Sequence, residues 1–336
     1  MVTTSSRNRR SDQYDKMRCV PVYCNPGKTH ILQAGVAGIL LLAMASSSWS
    51  QEQKSSDNVG RGILLGSRGG PAGETQSGTG LQDKSTGLEF SARAGFASDY
   101  IYRGVTLSDR MFAVGAGFEA AFNKIYAGVT VASVRLPTQP SSELSFAAGF
   151  RPKISNVDFD LAWTYYAYPK ESVLGPTGGT DYWEASLRAE TKLTDALRIA
   201  GGFAYSPNVS NTGATGKYAA VGVGLDLPGK FLPKDIAASL SGSVGYSRFG
   251  NMEEILGGFP LPSYANWNAG VTFTYKSLNF DLRYYDTNLS KENCYVFTGD
   301  TNAVAGGVVD PLRNPDGLMS RWCGATIVGK LWFALN

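Results

Sequence analysis

The stretch Tyr264–Asp286 reads YANWNAGVTFTYKSLNFDLRYYD. In its first half Trp267, Ala269, Val271, Phe273 and Tyr275 alternate with Asn268, Gly270, Thr272 and Thr274. After Lys276-Ser277 the alternation restarts in the opposite parity, with Leu278, Phe280, Leu282 and Tyr284 set against Asn279, Asp281, Arg283 and Tyr285. A period of two marks a strand with one apolar and one polar face. A two-residue loop at Lys276-Ser277 sets Tyr275 opposite Leu278, Phe273 opposite Phe280 and Val271 opposite Leu282. Both strands then turn their apolar side chains to the same side, which makes the register self-consistent. Each strand is about ten residues long, enough to cross a bilayer at a tilt.

The rest of the chain repeats this unit. About twelve alternating runs follow Leu88, near 88–103, 111–122, 124–133, 142–151, 156–168, 180–192, 196–206, 216–227, 234–247, 263–276, 277–288 and 320–333. No segment reads as a helix. Short connections (Asn123-Lys124, Pro152–Ser155, Leu193–Asp195, Pro228–Pro233, Lys276-Ser277) alternate with longer ones (104–110, 134–141, 169–179, 207–215, 248–262, 289–319). Sorting of loops by length, with an even strand count, is the pattern of outer-membrane barrels. Closure leaves no unpaired edge in lipid. The expected fold is therefore all-β, a transmembrane antiparallel up-and-down barrel of about 12 strands over residues 88–336. Aromatics gather at the long-loop ends (Tyr100, Tyr102, Phe112, Tyr165, Tyr166, Tyr168, Tyr182, Trp183, Tyr205, Tyr218, Tyr264, Trp267, Tyr284, Tyr285, Trp322), with a thinner set near the short turns. They are expected to form two interfacial belts.

Composition agrees and narrows the chemistry. Glycine makes up 40 of 336 residues, well above the usual share of about 7 %; helices tolerate this poorly, closely packed strands better. Six of the 31 basic and two of the 28 acidic residues fall in the first fifty, leaving 25 bases against 26 acids. The basic excess belongs to the N-terminal segment, and nothing points to a nucleic-acid partner. The single histidine, His30, lies in the same segment. A processed chain would have none, which removes Ser-His catalysis and His-ligated metal. No cofactor is expected.

The N-terminus has the order of a secretory signal peptide. A long basic region precedes the apolar run Ile31–Ala45, and a Ser-rich segment ends at Ser50. Residues 1–50 are expected to direct Sec-type export. Residues 51–87, rich in Gly, Ser, Thr and charge, read as a flexible linker.

At Ser98 the chain runs SDYIYRGVTLSD to Asp109. This resembles the opening motif of the TorF-like porins, a proteobacterial outer-membrane family also catalogued as Gcw_chp, in Ser98, Asp99, Tyr100, Arg103, Gly104, Ser108 and Asp109. Weaker similarities follow at Ile125–Val129, Tyr165–Pro169 and Tyr284–Asn288. The resemblance covers about residues 88–336 and implies a porin-type barrel in the outer membrane of a Gram-negative bacterium, with no catalytic residues. It also implies a late cysteine pair, matched by Cys294 and Cys323. Secretion would expose these thiols to an oxidising compartment, and the strand count puts both on the long-loop side, where a disulfide would tie the last loop to the rim.

In such a barrel the apolar face meets lipid and the polar face lines the lumen. The lumen candidates are Arg93, Asp99, Arg103, Glu119, Asp158, Asp160, Glu184, Arg188, Glu190, Asp281, Arg283 and Lys330. Asp158, Asp160 and Glu184 invite an acid–base reading; without histidine or a nucleophile motif, salt bridging across the lumen is favoured. Three functions stay open: a passive porin in outer-membrane lipid for small polar solutes or ions, a closed structural or surface-recognition barrel, and a secreted soluble β-sandwich that binds a ligand.

Overall fold

The computed structural model describes residues 87–172 and 178–335. The expected signal peptide (1–50) and all but the last residue of the expected linker (51–87) lie outside the described residues. Twelve long strands form the wall: β1 Leu88–Ala97, β2 Ala113–Phe122, β3 Ile125–Ala132, β4 Glu143–Phe150, β5 Val157–Ala167, β6 Tyr182–Lys192, β7 Leu197–Ser206, β8 Gly216–Asp226, β9 Ile236–Phe249, β10 Tyr264–Tyr275, β11 Leu278–Thr287 and β12 Thr326–Leu335. Each pairs antiparallel with its sequence neighbours, and β1 also pairs with β12 from Ala92↔Leu335 to Ala97↔Lys330. The wall is a closed 12-stranded antiparallel barrel. The β10–β11 register is the one expected, with Tyr275↔Leu278, Phe273↔Phe280 and Val271↔Leu282. Lys276 turns the corner with φ 53°, as Asn123 does between β2 and β3 with φ 55°.

Alternation sorts the side chains. Val129, Phe146, Leu161, Leu187, Phe203, Val221, Leu240, Phe273, Phe280 and Leu282 are exposed large apolar residues on the outer face. Strands of about ten residues are roughly 33 Å long, and at a tilt near 40° they span roughly the 25 Å of an apolar membrane band. The outer surface is thus that of a membrane-spanning barrel. The inner face is dominated by Gly, Ala, Ser and Thr with a few large residues laid over them. A Cβ at Gly149 would sit 2.5 Å from the Tyr126 ring, one at Gly245 2.2 Å from the Tyr218 hydroxyl, and one at Gly95 2.6 Å from Trp332 Cβ. The high glycine content lets large inward side chains lie flat on the neighbouring strand.

Three expectations need correction. β1 ends at Ala97 rather than near 103, and β12 begins at Thr326 rather than near 320; in both places the chain leaves the wall while its alternation continues. A helix is present, α1 Lys291–Thr298. The Ser290 hydroxyl accepts from Asn293 N at 3.2 Å to cap its start, and Gly299, at φ 64°, ends it. The aromatic belt at the long-loop end is only half a belt. Trp183, Trp267 and Tyr284 face outward, whereas Tyr100, Tyr166, Tyr168, Tyr182, Tyr218, Tyr264, Tyr285 and Trp322 are buried in the mouth.

Candidate functional site

Those buried rings pack around a segment that leaves the wall. Ser98 is held to β12 by its N–H on Gly329 O (2.9 Å) and by Gly329 N–H on its Oγ (3.1 Å). The chain then folds into a small hairpin, Ile101–Tyr102 against Val105–Thr106. Its two-residue turn, Arg103-Gly104, has φ of 49° and 82°, positive at both central positions as a type I′ turn requires. A Cβ on Gly104 would lie 2.5 Å from Thr287 Cγ2 on β11. Gly104 thus presses on β11, two strands from β1 in the wall order β1-β12-β11, while Arg103 beside it reaches across the lumen to Glu184 on β6.

The polar residues of the motif hold this shape. The Asp99 carboxyl accepts from the hydroxyls of Thr106 and of Ser108 (3.0 Å), and Ser108 Oγ accepts from Tyr100 N (2.9 Å). Burial pushes the Asp99 carboxyl above its ordinary value, opposed by these two donors. Asp109 accepts from Trp322 Nε1 (2.8 Å) and Asn302 Nδ2 (2.9 Å) in the last loop. Arg103 makes a two-pronged ion pair with Glu184 of β6, at 2.9 Å for each prong, and its guanidinium lies 4.7 Å and 4.2 Å from the ring centroids of Tyr102 and Tyr218. Tyr102 also donates to Glu184 (3.0 Å), and Tyr100 and Tyr168 both donate to the buried carboxyl of Glu143 at 3.0 Å.

The last loop lies over the hairpin. Cys294 in α1 and Cys323 are joined by a disulfide. They pack with Val105, Tyr264 and Trp322, all buried, and Thr106 N donates to Trp322 O (3.0 Å). The disulfide thus sits directly against the segment that crosses the lumen.

The structure distributes the lumen candidates over several clusters. Asp99 and Arg103 project from the hairpin, not from a strand. Glu119 and Asp160 share Arg151, which stacks on Tyr126 with 3.3 Å to the ring centroid. Asp281 and Arg283 pair at 3.0 Å, both 2 % exposed, and Arg283 also donates to Asn268 (2.8 Å) and Ser241 (2.8 Å). Lys330 donates to Tyr285 (2.6 Å). Asp158 is at the short-turn rim on Lys153 (3.0 Å), opposite Glu190. Arg93 faces inward, half-buried, on β1. Asp158, Asp160 and Glu184 each have a different basic partner and do not form one carboxylate site. Among the described residues no group of three or more His, Cys, Asp or Glu is placed to hold a metal.

Below the hairpin lies a small, partly open cavity lined by Tyr102, Arg103, Tyr126, Thr164, Tyr166, Glu184, Ser186 and Arg188. The sequence reading missed Glu143, Arg151, Arg198 and Tyr126. Strand parity marks Glu143, Arg198 and Tyr126 as inward, and Arg151, at the end of the 142–151 run, shares the parity of Glu143.

Residues 81–307 match the family model described as "Bacterial protein of unknown function (Gcw_chp)". The chain belongs to this family. The Gcw_chp match contains the whole hairpin and α1 but stops short of β12 and Cys323. No curated protein matches the chain. Among solved structures, similarity is found to the KdgM porin (TM-score 0.40, 10 % identity, 73 % of this chain and 97 % of that one). It is also found to the NanC porin (TM-score 0.40, 8 % identity, 74 % and 99 %) and to LpxR from Salmonella typhimurium (TM-score 0.36, 9 % identity, 73 % and 99 %).

Proposed function

We propose that this Gcw_chp protein is a non-enzymatic outer-membrane porin of the TorF-like kind, exported through its N-terminal signal, that lets small polar solutes or ions diffuse through a lumen constricted by the Ser98–Asp109 hairpin. The carrying observation is the pairing of an apolar outer wall with a polar, cavity-bearing interior beneath an inward-folded hairpin. Backbone irregularity at membrane depth is tolerated where it is buried in protein or lines a cavity, and a hairpin spanning the lumen sets the width of the passage beside it. Glu184 and Arg188, the strand charges that line the cavity, are the walls of that passage.

A closed recognition barrel is the second reading. It draws on how the hairpin's polar side chains are engaged, with Arg103, Asp99 and Asp109 each held by a protein partner, although Asp99 Oδ2 and Arg103 Nε are buried with no hydrogen-bond partner among the described residues. Planar-bilayer recording of the refolded chain separates the two. The expected result is discrete conductance steps from a protein that fractionates with the outer membrane and resists carbonate extraction. Silence from correctly folded, heat-modifiable protein would leave the closed barrel.

A further inference from the structure

The basic side chains around the cavity are not equivalent. Arg103 is committed to Glu184, and Arg151 to Glu119 and Asp160. Arg188, half-buried on β6 with its side chain lining the same cavity, makes no hydrogen bond or ion pair with any described residue. Its cross-strand neighbour is Asp160. One Asp160 oxygen takes the Tyr126 hydroxyl (2.9 Å) and the other takes Arg151 Nε (3.2 Å). Both oxygens of Glu184 are taken by Arg103. Gly202 on β7 gives the Arg188 stem its room, since a Cβ there would lie 3.0 Å from Arg188 Cγ. The hydroxyls of Thr164, Tyr166 and Ser186, which line the same space, likewise make no hydrogen bond to the described protein.

A guanidinium with unused donors, beside three unused hydroxyls in a partly desolvated space, is complementary to an oxyanion. A fork of two parallel N–H donors fits the two oxygens of a carboxylate. The hydroxyls can bind further oxygens on the same molecule. We propose that Arg188 anchors a lumenal binding site for small hydroxylated organic carboxylates, which makes these the solutes that the channel favours. The solute preference rests on the porin reading; the binding itself does not.

The test uses the refolded full-length chain in detergent, titrated calorimetrically with sodium gluconate and, as the uncharged control, sorbitol. Gluconate is expected to bind saturably and sorbitol not to bind. Arg188→Gln is expected to weaken gluconate at least about tenfold, the scale of one charge-assisted hydrogen bond. Arg188→Lys should fall between, and Tyr166→Phe should weaken binding by a smaller factor. Equal behaviour of gluconate and sorbitol, or gluconate binding untouched by Arg188→Gln, overturns the site. Should Arg188→Gln fail to fold, the wild-type comparison of gluconate with sorbitol and the Tyr166→Phe titration still decide. Reversal potentials in a potassium chloride gradient form the second arm, with chloride favoured in the wild type and the preference lost in Arg188→Gln. Arg188-dependent binding without conductance upholds the site and removes the porin reading. Conductance without such binding upholds the porin and removes the site.

Discussion

Arg103 is the residue on which the constriction depends. It sits at φ 49° because the turn demands it, and its fork holds Glu184 with both side chains about nine-tenths buried. Removing one partner of a buried pair leaves the other charge uncompensated, at a cost of about 3–5 kcal/mol. Arg103→Ala is therefore expected to lower the guanidinium unfolding midpoint by that equivalent and to raise single-channel conductance, because the tip loses its hold on the far wall. Arg103→Lys, which keeps the charge but not the fork, should lie between. An unchanged conductance in a folded Arg103→Ala protein would show that the hairpin does not set the width. Gly104→Ala should mimic part of this effect, since its Cβ meets Thr287 and its φ of 82° strains any other residue. The sequence marked Arg103 and Gly104 through the family motif, but only the fold shows that one is a clamp and the other its turn. Arg188 was equally visible by parity; that it is unpaired was not, because alternation shows which side chains face inward but not that Tyr126 and Arg151 take both oxygens of Asp160.

Among the elements, the register of β10 against β11 was legible to the residue because two alternations of opposite parity meet at a two-residue turn. The ends of β1 and β12 were not, because Ile101, Tyr102 and Trp322 continue an apolar rhythm that burial in the mouth, not lipid, explains. Helix α1 has weak amphipathicity, and its only local marks are Ser290 before it and Gly299 after. Alternation also does not say how full the interior is. Thr272, on the inward face, is 1 % exposed and donates to Asp281 at 2.8 Å, so an arginine there would overpack the Asp281–Arg283 cluster rather than line open space. The informative comparison is Leu282→Arg against Ala162→Gln. Leu282 is 44 % exposed on the outer face, and a charge there should cost about 2–4 kcal/mol and reduce assembly, seen as loss of the heat-modifiable folded band. Ala162 lines the cavity, so glutamine there should leave assembly intact and lower conductance. Equal loss of the folded band in both would contradict the assignment of faces.

For the whole molecule, the Cys294–Cys323 bridge closes a loop with a separation of 29 residues. In the chain-entropy model such a loop stabilises by roughly 3–4 kcal/mol. Cys294→Ser with Cys323→Ser should lower the unfolding midpoint accordingly. Because Val105 and Trp322 pack on the bridge, open-channel noise should rise as the hairpin loses its cover; quiet conductance with only the stability loss would make the bridge a staple alone. Closure of the wall has a consequence in time. One edge of β1 finds β2 within a few dozen residues, but the other waits for β12, where Gly95 meets Trp332. Contacts so far apart in the chain are slow to form, and until they do a complete row of β1 backbone donors and acceptors stays unpaired, open to the first strand that arrives. The seam between first and last strand is thus the final and most vulnerable step of folding. A chain at that stage requires a partner that shields the edge, or a membrane site where the two ends are brought together before a neighbour's strand can take the place of its own.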